Sequence, residues 1–550
     1  MPRSGTHGFG DQSRGVTLRL SSTTKSLQIF NCLCDNGKQS IRRMAQKTKY
    51  AKSSVHRLKR AIERRDIHPE SWLWETDAGR RWLTRLVVAT LYPFGLKRGV
   101  GVETMSEFFA RLRLETQVGC SPSAIRGTMQ ALEAALLETA AAWEKDGQAS
   151  GAVREIIGAV DETFLERMIL VFMDLATGYL LLEQVADDRT YATWKALVDE
   201  RLKGLGTGVL YLVSDRAKAF IQLAEQGVEC LSMPDFFPVV HEIVKSYSLA
   251  MGRHLRQAQQ ELQKAQEGLA RLQGRPHAAQ DAPEATALVE ASQVVVQQWE
   301  EAQRTYRHHL ETLSLTLHPF RLADATPQTS DQVASRLQAE VEAIEALARR
   351  HQLPARHHAM QKVRKQLPAL AALVDFWWAG VRRDVAQAAL SPAWQQWAQE
   401  ALLPCVYWEH QVARTRCARR RAMLRQALEA VQVTFARHAL TSCLPPQALQ
   451  AWQAWATHRV SAFQRASSAV EGRNGFLSQL HHNQRGLPKQ RYKVWMVLHN
   501  FDGRATDGTT PAARFFRRTF PDLLETVLSH IESLPRSRQR KHEVALRHCC

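Results

Sequence analysis

Strand-type sequence is confined to one block of this chain. Between residue 151 and about 234 the apolar residues fall in short runs rich in Ile, Val, Leu, Tyr and Phe: GAVREIIGAVDETF, RMILVFMDLATGYLLLEQVADD, GVLYLVSD and VECLSM. Runs of this length and composition favour strands, whereas a period near 3.6 favours helices. TYATWKALVDERLKG (190–204) and RAKAFIQLAEQG interrupt the block as helices, and Asp174-Leu175-Ala176-Thr177-Gly178 reads as a hairpin turn. The order is strand-strand-strand-helix-strand-helix-strand. Three antiparallel strands followed by two crossover units predict a mixed five-stranded sheet with helices on its faces.

Helical patterns fill the rest. Residues 1–24 are Gly/Ser/Arg/Thr-rich and read as a loose tail. Residues 25–100 form the first helical region, with three segments between Leu27 and Arg65, a turn at Asp35-Asn36-Gly37, and Ser53 or Ser54 as cap of the third. Ala45, Val55 and Leu58 have the spacing by which two helices of a helix-turn-helix pack across their turn, with Lys49 where a glycine is usual. The third segment presents Lys52, Ser53, His56, Arg57, Lys59 and Arg60, types that contact phosphates and base edges. A helical hairpin with a solvated basic face is the competing reading. A second helical unit occupies 101–150, around Val118-Gly119-Cys120, as either another helix-turn-helix or a structural bundle.

After the sheet region (151–250) comes an all-helical stretch, 251–460. One long helical pattern, FPVVHEIVKSYSLAMGRHLRQAQQELQKAQEGLARLQ, leads into it and ends at Gly274-Arg275-Pro276, and a second helix (284–313) returns to make an antiparallel hairpin. Further helices are bounded by prolines at 319, 327, 354, 368, 392, 404, 445 and 446. Residues 461–520 read as a short helical unit and a basic helix, and 521–550 as a C-terminal helix with a tail carrying Arg536, Arg538 and Arg540.

Charge is divided unevenly among these parts. The net charge is +19. Residues 1–100 hold 20 basic against 7 acidic side chains and 461–550 hold 15 against 7, but 151–250 hold 9 against 15. Basic surface on this scale is a footprint for polyanions, nucleic acid first. The acidic island fits either metal-binding carboxylates or a solvated face. No apolar run approaches the roughly 18 residues of a membrane span, and Met1-Pro2-Arg3-Ser4 opens no apolar signal segment. The nine cysteines are scattered without a repeated CxxC spacing, which fits reduced thiols in the cytoplasm.

Three carboxylates stand out by their setting. Asp161 lies within the first strand, where a carboxylate is costly unless something binds it. Asp215 ends YLVSD, at the kind of strand end where sheets of this type place ligands. If the fourth strand pairs beside the first, the two face each other, and a divalent metal would relieve their repulsion. Two plainer readings compete: a buried Arg partner for Asp161, and for Asp215 a cap on a helix starting at Arg216. Asp174, Asp187 and Asp188 read as turn and solvent-facing residues. The third carboxylate is Glu471 in SSAVEGRNG, where Ser468-x-x-Glu471 is also a capping-box pattern. Asn474, Arg473, Arg485, Lys489, Arg491 and Lys493 surround it, the make-up of a helix that brings one carboxylate to a metal and its flanks to phosphates.

These residues carry a resemblance. The triad, the predicted sheet and the strings VDET, SDRAKA, SSAVEGRNG and HHNQRGLPKQRYKVWMVLHNFDGRATDGTTPAARFF resemble DDE transposases of bacterial insertion sequences, within the ribonuclease-H-like transposase/integrase superfamily. The resemblance covers about 155–250 and 460–520, and a helical insertion between the second Asp and the Glu, as at 251–460, occurs in several branches. It implies a ribonuclease-H-like core, with Asp161, Asp215 and Glu471 as catalytic residues and ligands of two Mg2+ ions, for which Mn2+ substitutes. It further implies hydrolysis at element ends, transfer of the 3′-hydroxyl into target DNA, and a homodimer or larger assembly on the terminal inverted repeats. Cys230 and His241 follow the second Asp as a Cys and a His do in some branches; His241 either packs its helix or supports the site or the DNA, and Asn474 would support the site. No nucleotide is required, and Gly37-Lys38-Gln39-Ser40 lacks the features of a P-loop. A structure-specific nuclease of the same fold and a DNA-binding regulator without metal are the alternative functions.

Overall fold

The computed structural model describes residues 22–35, 39–67, 74, 76–148, 154–272, 278–483, 489–531 and 534–535. The tail at 1–21, Asn36-Gly37, the turn at Gly274-Arg275-Pro276, Arg485 and the arginines at 536, 538 and 540 lie outside the described residues. The chain divides into two compact units: residues 1–139 with 521–550, and residues 140–520.

The first unit opens with α1 (Ser22–Asp35), α2 (Ile41–Thr48) and α3 (Lys52–Ile67). Ile29, Cys32, Met44, Ala45, Val55, Leu58 and Ile62 form their shared core. The α2–α3 turn places Lys49 at φ 57°, a left-handed conformation that a glycine would adopt without strain. Ser40 caps α2 by accepting from the Arg43 N–H at 3.3 Å. Helix α3 starts at Lys52, so Ser53 and Ser54 stand in its first turn and do not cap it. Lys52, Ser53, His56, Arg57 and Arg60 all lie on its exposed side. α4 (Asp77–Thr90), continued by a π-helical segment at Leu91–Lys97, α5 (Val102–Arg111) and α6 (Pro122–Gln148) follow.

The second unit contains the sheet: β1 (Arg154–Leu165), β2 (Arg167–Asp174), β3 (Leu180–Ala186), β4 (Thr207–Ser214) and β5 (Leu231–Pro234), in the order β3-β2-β1-β4-β5. β1–β2 and β2–β3 are antiparallel, and β1–β4 and β4–β5 are parallel, as the predicted mixed sheet requires. α7 (Tyr191–Leu205) and α8 (Lys218–Gln222) lie in the two crossovers. Ile156–Val160 and Ile169–Met173 are buried throughout, so the central strands read as unbroken apolar runs instead of alternating ones. Gly158 permits this closeness: a Cβ there would meet Phe172 at 2.6 Å and Leu212 at 2.7 Å. Asp174 is buried, contrary to the solvent-facing expectation, because its carboxylate accepts from the N–H groups of Ile157, Ala176 and Thr177 and so ties the hairpin turn together.

α9 (Phe236–Leu272) and α10 (Ala278–Thr316) form the predicted antiparallel hairpin, joined by Tyr306 Oη donating to the Ile243 carbonyl at 3.0 Å and by His254 stacked on Trp299. α9 runs without a break through residue 250, as its sequence pattern from Phe237 predicts, so the sheet region and the helical region share one helix. One boundary differs from expectation: α10 starts before Pro283 and contains it. α11 (Ser330–Arg350), α12 (His357–Gln387), α13 (Pro392–Trp397), α14 (Leu403–Arg414), α15 (Ala418–Arg437), α16 (Ala439–Cys443) and α17 (Pro446–Ser461) follow. Pro368 does not bound a helix, since it lies inside α12. α18 (Ser468–Asn483), α19 (Lys489–Asp502) and α20 (Pro511–Phe516) return to the sheet, and α21 (Leu523–His530) belongs to the first unit. Asn500 of α19 completes the ladder at the edge of β3, accepting from the Leu180 N–H and donating to its carbonyl, both at 2.8 Å. Among the described residues no helix is long and apolar enough to cross a membrane.

Candidate functional site

Parallel pairing of β1 with β4 decides where the first two carboxylates go. Ala159 pairs with Val213, so Asp161 and Asp215 each lie two residues further on, at the same end of adjacent central strands. Asp215 does not cap a helix starting at Arg216. The backbone turns sharply there, with Arg216 at φ 63°, and α8 begins only at Lys218. Asp215 Oδ1 instead holds the turn by accepting from the Ala217 N–H at 2.9 Å, and the side chain stays exposed.

Helix α18 brings the third. Glu471 sits in its first turn, half-buried, and Asn474 three residues on donates from Nδ2 to Asp161 Oδ2 at 2.7 Å. Residues three apart share a helix face, so Glu471 and Asn474 both address the sheet end. Burial, then Asp215, Glu162 and Glu471 push the Asp161 carboxyl from its ordinary 3.8 up to about 6, against the pull of the Glu162 N–H. Burial and then Asp235 raise Glu471, while His241 opposes the rise.

A comparison inside the sheet shows what is unusual about Asp161. Asp161 pairs with Val171, which pairs with Glu183, so both carboxylates stand in one cross-strand row and both meet α18. Glu183 is fully buried and is neutralised by Arg473, with Nε–Oε2 at 2.6 Å and Nη2–Oε1 at 2.9 Å. That is the ordinary remedy for a carboxylate under a helix. Asp161 receives only neutral donors, the Asn474 amide and the Glu162 N–H, and among the described residues no Lys, Arg or His forms an ion pair with it. The plainer reading of Asp161, a buried Arg partner, therefore describes Glu183 and not Asp161.

Asp235 belongs to the same site, and the sequence reading passed over it. It follows β5 directly, is buried, and accepts from the N–H groups of Phe237 at 2.8 Å and Ser467 at 3.0 Å and from Ser467 Oγ. Burial raises its carboxyl, and Asp215 adds to the rise. The available signal was the one used for Asp215: an acidic residue at a strand end just before a helix. Asp235 fastens the segment that leads into α18. Tyr211 of β4 fastens it again, donating to the Ala462 carbonyl at 2.8 Å and accepting from the Gln464 N–H at 2.8 Å. Arg465 supplies a third tie, to the Ser314 and Leu317 carbonyls at 2.6 and 2.9 Å.

The remaining expected residues separate. His241 is exposed, stacked on Phe237 at 5.9 Å, and close enough to act on Glu471. Cys230 lies nearby in sequence with its thiol pushed up to about 12 by burial. Arg473 is not on a DNA-facing surface, because it is consumed by Glu183. Arg491 is buried too, which withdraws it from phosphates at the surface, whereas Lys493 is exposed. The side chains of Arg485 and Lys489 lie outside the described residues.

The donors available for a metal are carboxylate oxygens of Asp161, Asp215 and Glu471, a hard set suited to magnesium or manganese. Asn474 Oδ1, beside Asp161, is buried with no hydrogen-bond partner, which leaves an oxygen acceptor free at the same place. The carboxylates are not drawn into one cluster: among the described residues no three His, Cys, Asp or Glu side chains form a ready ligand set.

Residues 398–543, which include Glu471 but neither Asp161 nor Asp215, match a family described as "Family of unknown function (DUF6399)". No curated protein and no solved structure matches the chain.

Proposed function

We propose that this chain is a DNA transposase of the DDE type, with a ribonuclease-H-like core and an N-terminal helix-turn-helix. The observation that carries the reading is Asp161: a part-buried carboxylate at the centre of a sheet, raised by burial and then by Asp215, Glu162 and Glu471, and given no protein cation, while Glu183 in the same row has one. A protein that left such a group uncompensated for structural reasons would be less stable for it. A carboxyl displaced in this way by burial and by neighbouring carboxylates marks a functional site more often than a structural one.

Asp161, Asp215 and Glu471 would hold divalent magnesium or manganese, which supplies Lewis-acid activation of the attacking oxygen and charge relief at the leaving one. The chain's own residues perform the positioning. Asn474 fixes the Asp161 carboxylate, and Asp235 with Ser467 fixes the start of the helix that carries Glu471. Lys52, Ser53, His56, Arg57 and Arg60 on α3 are placed to receive the ends of the element. Lys493 adds positive charge to the second unit.

The test uses the full chain, Mg2+ or Mn2+, and DNA carrying the inverted repeats that flank its gene. Nicking at the ends followed by joining of the 3′-hydroxyl to a second duplex is expected. Asp161→Ala, Asp215→Ala and Glu471→Gln should each abolish both steps and leave DNA binding nearly unchanged. Cutting without joining would instead make the protein a nuclease, and binding alone would make it a regulator.

A further inference from the structure

Between Val412 and Gln426 the chain has six arginines and no acidic residue. They surround the joint of α14 and α15: Arg414, Arg416, Arg419, Arg420, Arg421 and Arg425. Charge of this density at one elbow is self-repelling, and proteins usually offset it with carboxylates. Here the offset is slight. Among the described residues one carboxylate pairs with the group, Glu311 with Arg419 at 3.2 Å. Arg420 donates to Ser314 Oγ at 3.2 Å and Arg421 to the Arg416 carbonyl at 3.2 Å, neutral contacts that aim the guanidinium groups without cancelling them. Arg416, Arg419 and Arg425 are exposed. The positive end of α15, a 20-residue helix, lies at the same elbow. Nothing in the acidic site consumes this charge.

The elbow is nonetheless joined to that site. Ser314, which Arg420 contacts through its hydroxyl, offers its carbonyl to Arg465. Arg465 stands two residues before Ser467, the partner of Asp235. Both features therefore sit on one compact unit, connected through two hydrogen bonds and a short stretch of backbone.

We infer that the Arg416–Arg425 elbow is a phosphate-binding surface for duplex DNA, holding the backbone that flanks the acidic site. The assignment rests on the proposed function and adds a site to it within the helical region. Guanidinium groups suit phosphates because their planar forks match two oxygens at once. From Arg419 to Arg425 the helix rises about 9 Å. Duplex DNA presents a charge about every 1.7 Å along its axis, so several phosphates fall within that reach.

Binding of the full chain to a labelled duplex, measured by fluorescence anisotropy over a range of potassium chloride, tests this. Each lost phosphate contact reduces the slope of log K against log salt by about 0.9. Arg416→Gln, Arg421→Gln and Arg425→Gln together should make the slope shallower by about 2 to 3. The three Arg→Lys changes should retain most of it, which separates lost charge from a damaged fold. A charge-matched set at the exposed Arg304, Arg307 and Arg382 should leave the slope near that of the parent. Cys417, at the elbow itself, supplies a second readout, since the Arg420 N–H and guanidinium hold its thiol below the ordinary value. Duplex DNA should slow its alkylation, measured by residue-resolved mass spectrometry, while polyglutamate should not. An unchanged slope in the elbow triple, equal losses in both triples, or equal protection by polyglutamate would overturn the assignment. Failure of the unaltered chain to bind any duplex would instead overturn the proposed function.

Discussion

Replacing Asp161 by Asn should stabilise the protein and, under the proposed function, abolish cleavage. The Asp161 carboxyl rises from 3.8 to about 6 in the folded chain. At about 1.4 kcal/mol per pKa unit, the ionised group costs the fold about 3 kcal/mol near neutrality. The side chain is partly open to water, and screening reduces this to roughly 1–2 kcal/mol. The sign follows from linkage. A carboxyl with a raised folded pKa holds its proton more tightly when folded, so its contribution declines as pH climbs from about 4 to about 6 and stays constant above. Asp161→Asn keeps a side chain of the same shape beside Asn474 and never ionises. Its advantage in calorimetric melting of the full chain should be greatest near pH 7 and vanish near pH 4. A variant that melts at or below the parent near pH 7 would refute the reasoning, as would a difference that does not change with pH. Either outcome would mean that Asp161 is compensated in a way its surroundings do not reveal.

Other perturbations address the supports of the site. Asp235→Asn, whose one amide oxygen cannot accept from both Ser467 and the Phe237 N–H, should slow single-turnover cleavage by about 10- to 100-fold with duplex affinity unchanged. Loss of DNA binding in parallel would show that Asp235 serves the fold at large. Tyr211→Phe removes two buried hydrogen bonds to the segment at 462–464 and should cost about 1–3 kcal/mol in thermal or denaturant unfolding. Arg473→Ala leaves Glu183 buried without a cation and should cost about 3–5 kcal/mol. Destabilisation below about 1 kcal/mol would mean that water reaches Glu183.

The sheet and its strand directions were legible because they follow from local pattern: runs of Ile, Val and Leu, a hairpin turn at Asp174, and two helices of crossover length. Asp161 and Asp215 were legible for a related reason, since a polar residue inside an apolar strand, or at its end, breaks that pattern. Asp235 breaks it in the same manner, at a strand end before a helix, but its role in holding Ser467, 232 residues away in sequence, has no local signal. Arg473 was misread on similar grounds. A basic residue among other basic residues looks like surface, and nothing local says that a carboxylate on β3 awaits it. Asp174 looked like an exposed turn residue, yet the turn folds around its carboxylate. Local composition reports which side chains are unusual; long-range pairing decides which are satisfied. The arginines at 414–425 were equally visible in the sequence, but their placement beside Ser314 and Arg465 depends on how α10, α14 and the 462–467 segment pack.

That dependence bears most heavily on α18, which approaches the sheet from far along the chain and has to meet it in one register. Glu471 and Asn474 lie on one face, and Arg473 is offset by about 100° around the helix axis, toward β3. A shift of one residue would withdraw Asn474 from Asp161, Arg473 from Glu183 and Glu471 from the site together. Val470, Leu477 and Leu480 of α18 are buried and oppose such a shift by packing, and the buried ion pair adds a constraint of direction. Fixing the register of packed elements is the best-attested use of buried polar pairs, more than adding stability. Replacing both partners, Glu183→Leu with Arg473→Met, should accordingly give a chain about as stable as the parent, or more so. Its cleavage should nevertheless fall well below that of the parent at unchanged DNA affinity, because Glu471 is no longer held to one position. Full cleavage in the double variant would reduce the Glu183–Arg473 pair to a feature of the fold alone, and the register of α18 would have to be set by Asp235 and Tyr211 instead.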